Sequence, residues 1–235
     1  MNRFLTFRFD DGFIKGARRA ARLLHPDPAT FFIVTGQLGG LELTRRVVQE
    51  TTLSDTDFGT LEDWRRLVEA GHDVQTHSVT HPYFSRLSPA EQLEEIRGSL
   101  GIVRQLHGGP YAFCFPYNDI VPVDLASEGL SAAGFRSRSS GDAPLVNRLN
   151  AVDLFSLQSW MVRERHFDRV VADLRDGIAP ETWTILGFHS LDGEGHEPWS
   201  SSCFSRLVEA GRAFGYTIVS VAQMLARLSD SCRER

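Results

Sequence analysis

RFLTFRFDDGF, residues 3–13, runs an apolar strand-like stretch into two adjacent aspartates. Neighbouring carboxylates repel each other and resist burial. A chain that places Asp10 and Asp11 where a buried strand runs out needs a use for them.

The text downstream repeats the same grammar. IKGARRAARLL (14–24) has helical spacing, and ATFFIV (29–34) is a second strand. TLEDWRRLVEAG (60–71) offers Thr60 as N-cap, Leu61, Trp64, Leu67 and Val68 on one face, and Gly71 as the stop. HDVQTH is a short strand. The helix after it has Ser88 as N-cap, Pro89 at the first helical position and Glu91 closing a capping box. YAFCFPY (111–117) is strand-like, VDLASEGLSAAGF gives a helix ending at Gly134, and RSRSS a strand. LFSLQSWMV (154–162) and TWTILGFHS (182–190) are strands that flank the helix FDRVVADLRDG. The helix CFSRLVEAGRAFG, the strand TIVSV and the helix AQMLARL close the pattern. Residues 35–59 are polar and glycine-containing, a loop with one short helix at 43–50.

This alternation implies α/β architecture: about seven parallel strands with helices packed outside, as a barrel or an open sheet. No linker divides the chain, so a single domain is expected over residues 3–228, followed by a frayed polar tail, 229–235. Catalytic groups in such folds gather at the C-terminal ends of strands. Asp10 and Asp11, His77 and His81, Tyr117 and His189 all fall at such ends.

Composition narrows the function. The 235 residues carry a formal net charge of -5 and a pI near 5.9, with no dense basic block, which disfavours nucleic acid as a partner. No stretch approaches the roughly 18 apolar residues of a membrane span, and no secretory leader is visible, so a cytoplasmic location away from membrane is the expectation. Three well-separated cysteines, Cys114, Cys203 and Cys232, form neither a disulfide framework nor a zinc knuckle. Oligomeric state is not legible.

HSVTH (77–81) spaces two histidines four apart, so both imidazoles can face one point. Two imidazoles and one carboxylate suit a divalent ion, zinc first, with cobalt, nickel or iron also accommodated. Beside such an ion, one acid of the Asp10–Asp11 pair can ligate while the other takes a proton from the water the metal activates.

In order and spacing, F-D-D-G, H-S-x-x-H, P-Y after an aromatic strand and a late strand ending in His resemble the polysaccharide deacetylases, the NodB-homology family 4 carbohydrate esterases. ATFFIVTG, EAGHDVQTHSVTHPYFSRLS, AFCFPYND and ILGFHSLDGEGHEPWS extend the likeness over nearly the whole chain. The resemblance implies a distorted (β/α) barrel and metal-dependent removal of an N-acetyl group from an acetamido sugar. It implies Asp10 as general base and Asp11, His77 and His81 as metal ligands. The Tyr117 backbone N–H would stabilise the oxyanion, and His189 would be the acid that protonates the leaving amine.

Two departures stand out. The family arginine that pairs with the base, three residues before the P-Y tyrosine, is replaced by Cys114; Arg138 is the candidate substitute. The D-W pair that often orients the acid histidine is missing; Trp160 and, further back, Asp153 are what the sequence offers, with Trp160 a candidate wall of an acetyl pocket. His196 lies on a loop after the acid strand and is a candidate substrate contact. The expected substrate is a small acetylated amino sugar. The alternatives are hydrolysis of other amides or O-acetyl esters at the same site, and a non-catalytic sugar-binding protein on a decayed scaffold.

Overall fold

The structure is a computed structural model that describes residues 2–39, 57–139, 144–193 and 195–233. Most of the 35–59 loop, including the helix expected at 43–50, lies outside the described residues.

In chain order, β1 (Arg3–Phe9) leads to α1 (Ile14–Leu24) and β2 (Thr30–Ile33). Then come α2 (Leu61–Glu69), β3 (Asp73–Thr76), α3 (Pro89–Val103) and β4 (Ala112–Phe113). Four short strands follow: β5 (Ala132–Ala133), β6 (Arg136–Ser139), β7 (Val146–Arg148) and β8 (Gln158–Met161). The chain closes with α4 (Phe167–Ala172), β9 (Thr182–Phe188), α5 (Ser201–Ala213), β10 (Thr217–Ile218) and α6 (Val221–Arg233).

The sheet runs β5-β4-β3-β2-β1-β9-β8-β6, all parallel, with β10 beside the start of β1. It curls into a distorted, incomplete barrel with the helices outside. β1 is its axis, paired over its full length from Arg3↔Thr182 to Phe9↔Phe188. Because side chains alternate along a strand, β1 serves two layers. Leu5, Phe7 and Phe9 pack outward under α1 and α5, against Phe188 and Phe204. Phe4, Thr6 and Arg8 face the interior, where Phe32, Ala112, Cys114, Phe135, Trp183 and Ile185 form the second cluster.

Local signals hold well in the first half. Thr60 and Ser88 cap α2 and α3, each with a reciprocal box to Asp63 and Glu91. Three differences are instructive. No helix forms over 124–134: Gly129 and Gly134 both take left-handed backbone, the first ending a single turn. A Cβ on Gly134 would sit 2.5 Å from the Phe155 carbonyl oxygen, so the chain crosses tightly there and adds Ala132–Ala133 to the sheet instead. β7 is an unforeseen antiparallel strand on β9, where Asn147 bonds to the Gln158 and Trp183 carbonyls. The residues after Leu228 do not fray at once, because α6 continues to Arg233.

The start of α6 is fixed from the sheet. The buried Asp73 carboxylate accepts the Ala222 N–H at 3.0 Å and the Thr30 hydroxyl at 3.0 Å. Thr30 in turn accepts the Val221 N–H at 2.8 Å. Two strand ends thereby satisfy orphan donors of the last helix.

Candidate active site

The C-terminal rim of β1, β3, β4 and β9 gathers the sequence candidates. Asp10 follows β1 and stays on its inner face. Asp11 and Gly12 turn sharply, with φ of 72° and 86°. A side chain on Gly12 would also press on Ile33, 3.3 Å away. The turn sends the two carboxylates in different directions, which answers the puzzle of their adjacency.

Asp11 meets both histidines. Its Oδ1 lies 3.4 Å from His77 Nε2 and 3.2 Å from His81 Nε2. Tetrahedral ligands about 2.05 Å from a zinc ion are separated by roughly 3.3 Å, so both distances from Asp11 match an edge of such a site. His77 Nδ1 lies 2.7 Å from the Cys114 carbonyl oxygen, which can only accept; the ring is therefore oriented with Nε2 toward Asp11. Burial alone would raise the Asp11 pKa, but hydrogen bonds from His77 and His81 outweigh it and hold the carboxyl well below its ordinary range. Burial alone would lower His77; electrostatic interaction with the Cys114 side chain and a hydrogen bond to Asp11 outweigh it and push it well above the ordinary histidine value.

The histidine loop is held from behind. The buried Glu95 of α3 accepts the Val79 N–H at 2.9 Å, the Thr80 N–H at 2.8 Å and the Thr80 hydroxyl at 2.7 Å. The Ser78 hydroxyl accepts the His81 N–H at 3.0 Å, and Thr35 and Gly36 donate to the Ser78 and Val79 carbonyls. Ser78 and His81 both have positive φ, as do Tyr117 and Asn118. Such backbone persists only where the surroundings fix it, and here it clusters at the rim.

Asp10 is paired by a residue that sequence reasoning passed over. Arg8, two residues earlier on the same face of β1, donates through Nη2 to Asp10 Oδ2 at 2.9 Å. Its guanidinium also reaches Cys114 Sγ at 3.3 Å, Ser137 Oγ at 3.1 Å and Met161 Sδ at 3.3 Å, under the Phe135 ring. Burial opposes the Arg8 charge, but Asp10 and Cys114 more than offset it. Asp10 Oδ1 accepts no hydrogen bond from the described residues. Asp10, His77 and Cys114 also come close enough to suggest a second cation site. The Arg8 guanidinium already occupies that side, so a metal there would face a fixed positive charge.

Arg138 does not supply the missing arginine. β6 alternation turns Ser137 into the site and leaves Arg138 exposed. Trp160 does not wall the pocket either: it is fully buried in the outer layer, and its neighbour Met161 faces the site. Asp153 is spent on its own turn, accepting the Phe155 N–H. Tyr117, His189 and His196 line one pocket with Arg8, Asp10 and Met161, of about 180 Å³. Tyr83 stacks on Tyr117 at 4.0 Å, and Arg86 covers Tyr83.

A curled parallel sheet with helices outside and an acid–histidine cluster on its C-terminal rim defines a NodB-type α/β barrel. The family profile described as Polysaccharide deacetylase matches residues 2–135, more than half of the chain. The chain belongs to that family, which supports a hydrolytic deacetylase. Among solved structures it resembles the peptidoglycan deacetylase PdaC from Bacillus subtilis, at 18% identity and TM-score 0.59, covering 99% of this chain and 94% of that one. It also resembles a family 4 carbohydrate esterase from Streptomyces lividans in complex with acetate, at 19% identity and TM-score 0.57, covering 92% and 91%. A third is a BA3943 mutant, a CE4 family pseudoenzyme with restored enzymatic activity, at 16% identity and TM-score 0.54, covering 95% and 68%. At these identities the likeness is one of fold. No curated protein sequence matches the chain. No helix among the described residues is long and apolar enough to cross a membrane.

Proposed function

We propose that this chain is a metal-dependent deacetylase that hydrolyses the N-acetyl group of a small acetamido sugar. The observation that carries the reading is the convergence of Asp11, His77 and His81 at ligand spacing, beside a carboxylate, Asp10, anchored through one oxygen only. Asp11 Oδ1, His77 Nε2 and His81 Nε2 would hold the ion. When bound, a divalent ion supplies Lewis acidity and lowers the pKa of water.

The chain's own groups do the rest. Asp10 is held by Arg8 with Oδ1 left to take the proton of the attacking water. The Tyr117 backbone N–H, set by its left-handed turn, donates to the oxyanion. His189, on the same pocket, gives a proton to the departing nitrogen, since an amide anion is too poor a leaving group to depart alone. Water adds to the carbonyl carbon, the C–N bond breaks, and acetate and an amine leave. The Phe135 and Met161 side chains supply an apolar wall for the acetyl methyl group.

The test is metal content per chain by elemental analysis, with acetate release from N-acetylated amino sugars, for wild type beside His77→Ala. About one transition-metal ion in the wild type, lost with turnover in the variant, is expected. No metal in either protein after zinc or cobalt addition would refute the reading and favour a sugar-binding role.

A further inference from the structure

We propose that His196 is a positioning residue for His189, held over it by a Glu197 clamp; the inference rests on the acid role given to His189 above. A histidine that must deliver a proton to one atom needs its ring orientation fixed, normally by a partner on the other nitrogen. His189 is half-buried, and its ring makes no hydrogen bond or ion pair with a described residue. What it does meet is the His196 ring, edge-to-face, with centroids 5.5 Å apart and planes at 82°.

His196 is on a loop built to stay in place. The loop base is closed by a bridge between Leu191 and Trp199, with Asp192 N–H donating to the Trp199 carbonyl and Trp199 N–H to Ser190. The Trp199 indole N–H reaches across to the Val162 carbonyl at 3.1 Å. Asp192 accepts the Ser201 N–H at 2.7 Å, and Glu164 grips the Ser200 hydroxyl at 2.9 Å. The tip is tied to the strand beside it. Glu197 receives Arg163 through two nitrogens, at 2.8 and 3.1 Å, and Arg165 at 2.8 Å. His196 Nε2 lies 3.6 Å from the same carboxylate. On the far side, Gly195 lies against the Phe13 ring so closely that a Cβ there would come within 2.5 Å of it.

Two arginines in the turn after β8 therefore fix the carboxylate that holds the loop tip, and the tip sets one ring against the acid that follows β9. The His196 side chain is 63% exposed, far more than packing of the core requires. Its contact with His189 is its chief contribution to the pocket.

The experiment is a double-mutant cycle in the metal-loaded enzyme with an N-acetylated amino sugar. His196→Ala should lower kcat about tenfold while KM holds, the size expected of a misplaced catalytic group. In a His189→Ala background, His196→Ala should cost nothing more, since its effect passes through His189. His196→Phe keeps the ring edge and should recover most of kcat. A rise in KM alone, a loss that multiplies with that of His189→Ala, or a Phe variant as slow as Ala would each overturn the inference. If His189→Ala itself leaves kcat unchanged, the acid role fails and the inference with it. If His189→Ala is crippled and His196→Ala is not, only the inference falls.

Discussion

Arg8→Met is the most revealing single change in this chain. Arg8 and Asp10 are both buried, with 2% and 8% of their side chains exposed, and stand 2.9 Å apart. Methionine approximates the length of the arginine stem and removes the charge. The buried Asp10 carboxylate would then lose the guanidinium it pairs with, in the pocket it shares with Phe135 and Met161. Breaking a buried pair in this way costs about 3–5 kcal/mol. Arg8 also donates to Cys114, Ser137 and Met161, but neutral contacts of this kind contribute only about 1 kcal/mol each. The ion pair should therefore dominate. Asp10→Asn strands the opposite partner, and the double variant Arg8→Met/Asp10→Asn strands neither. Urea denaturation of the four proteins without metal measures the coupling. The double variant should be more stable than the sum of the single losses predicts, by at least about 2 kcal/mol. Acetate release from the metal-loaded proteins should collapse in every variant, because either the base or its anchor is gone. A coupling under about 0.5 kcal/mol, or Arg8→Met turning over like wild type, would refute the view that Arg8 anchors the base.

Three further outcomes follow from contacts at and behind the rim. Arg8→Thr combined with Cys114→Arg should regain much of the turnover lost in Arg8→Thr alone, since Cys114 Sγ lies 3.3 Å from the guanidinium it would replace; kcat of the two proteins decides. Glu95→Gln puts an amide where a carboxylate gathers three donors, and should weaken metal binding about 10- to 100-fold while the fold persists, read by competition with a chelator. His72 accepts the Ala29 N–H through Nδ1, and burial followed by the nearby His25 charge lowers its pKa. Because the folded pKa is the depressed one, this contribution is present above the unfolded value of about 6.5 and is lost as pH falls through the folded one. His72→Gln should flatten the decline in urea midpoint between neutral and mildly acid pH by the worth of one hydrogen bond, about 1 kcal/mol. An unchanged slope would remove His72 from the acid response.

The fold was readable where local rules and tertiary demands agree. RFLTFRF reads as a strand from its apolar run, and the fold agrees: β1 is buried on both faces and paired on both sides. The capping boxes at Thr60 and Ser88 close within four residues, so nothing distant can override them. The stretch 124–134 misleads for the opposite reason. Its apolar spacing suits a helix, but Leu125 and Leu130 are claimed by a cluster with Phe84 and Phe115, and the two left-handed glycines let the chain turn twice to reach it. β7 is three residues of pairing that only its β9 neighbour creates.

The site divides along the same line. Asp11, His77 and His81 were legible because motif spacing and strand ends suffice to bring them to one rim. The partner of Asp10 was also within reach of the sequence. In a strand, residues two apart share a face. Once residues 3–9 read as β1 with Asp10 following in register, Arg8 was the nearest cation on the base's own side, and Cys114 marks the room its guanidinium needs. Arg138, further along the chain from the vacated position, stands on the exposed face of β6, whereas Arg8 reaches that position from across the pleat. Glu95 and Glu197 carry no such signal. Each acts on backbone or side chains that only the closed barrel brings near, 15 or more residues away: Thr80 for Glu95, Arg163 for Glu197. The candidate catalytic groups announce themselves by type and spacing. The groups that aim them are ordinary acids and arginines, distinguished only by where the fold puts them, and those are the positions where substitution most sharply tests whether this barrel works as an enzyme.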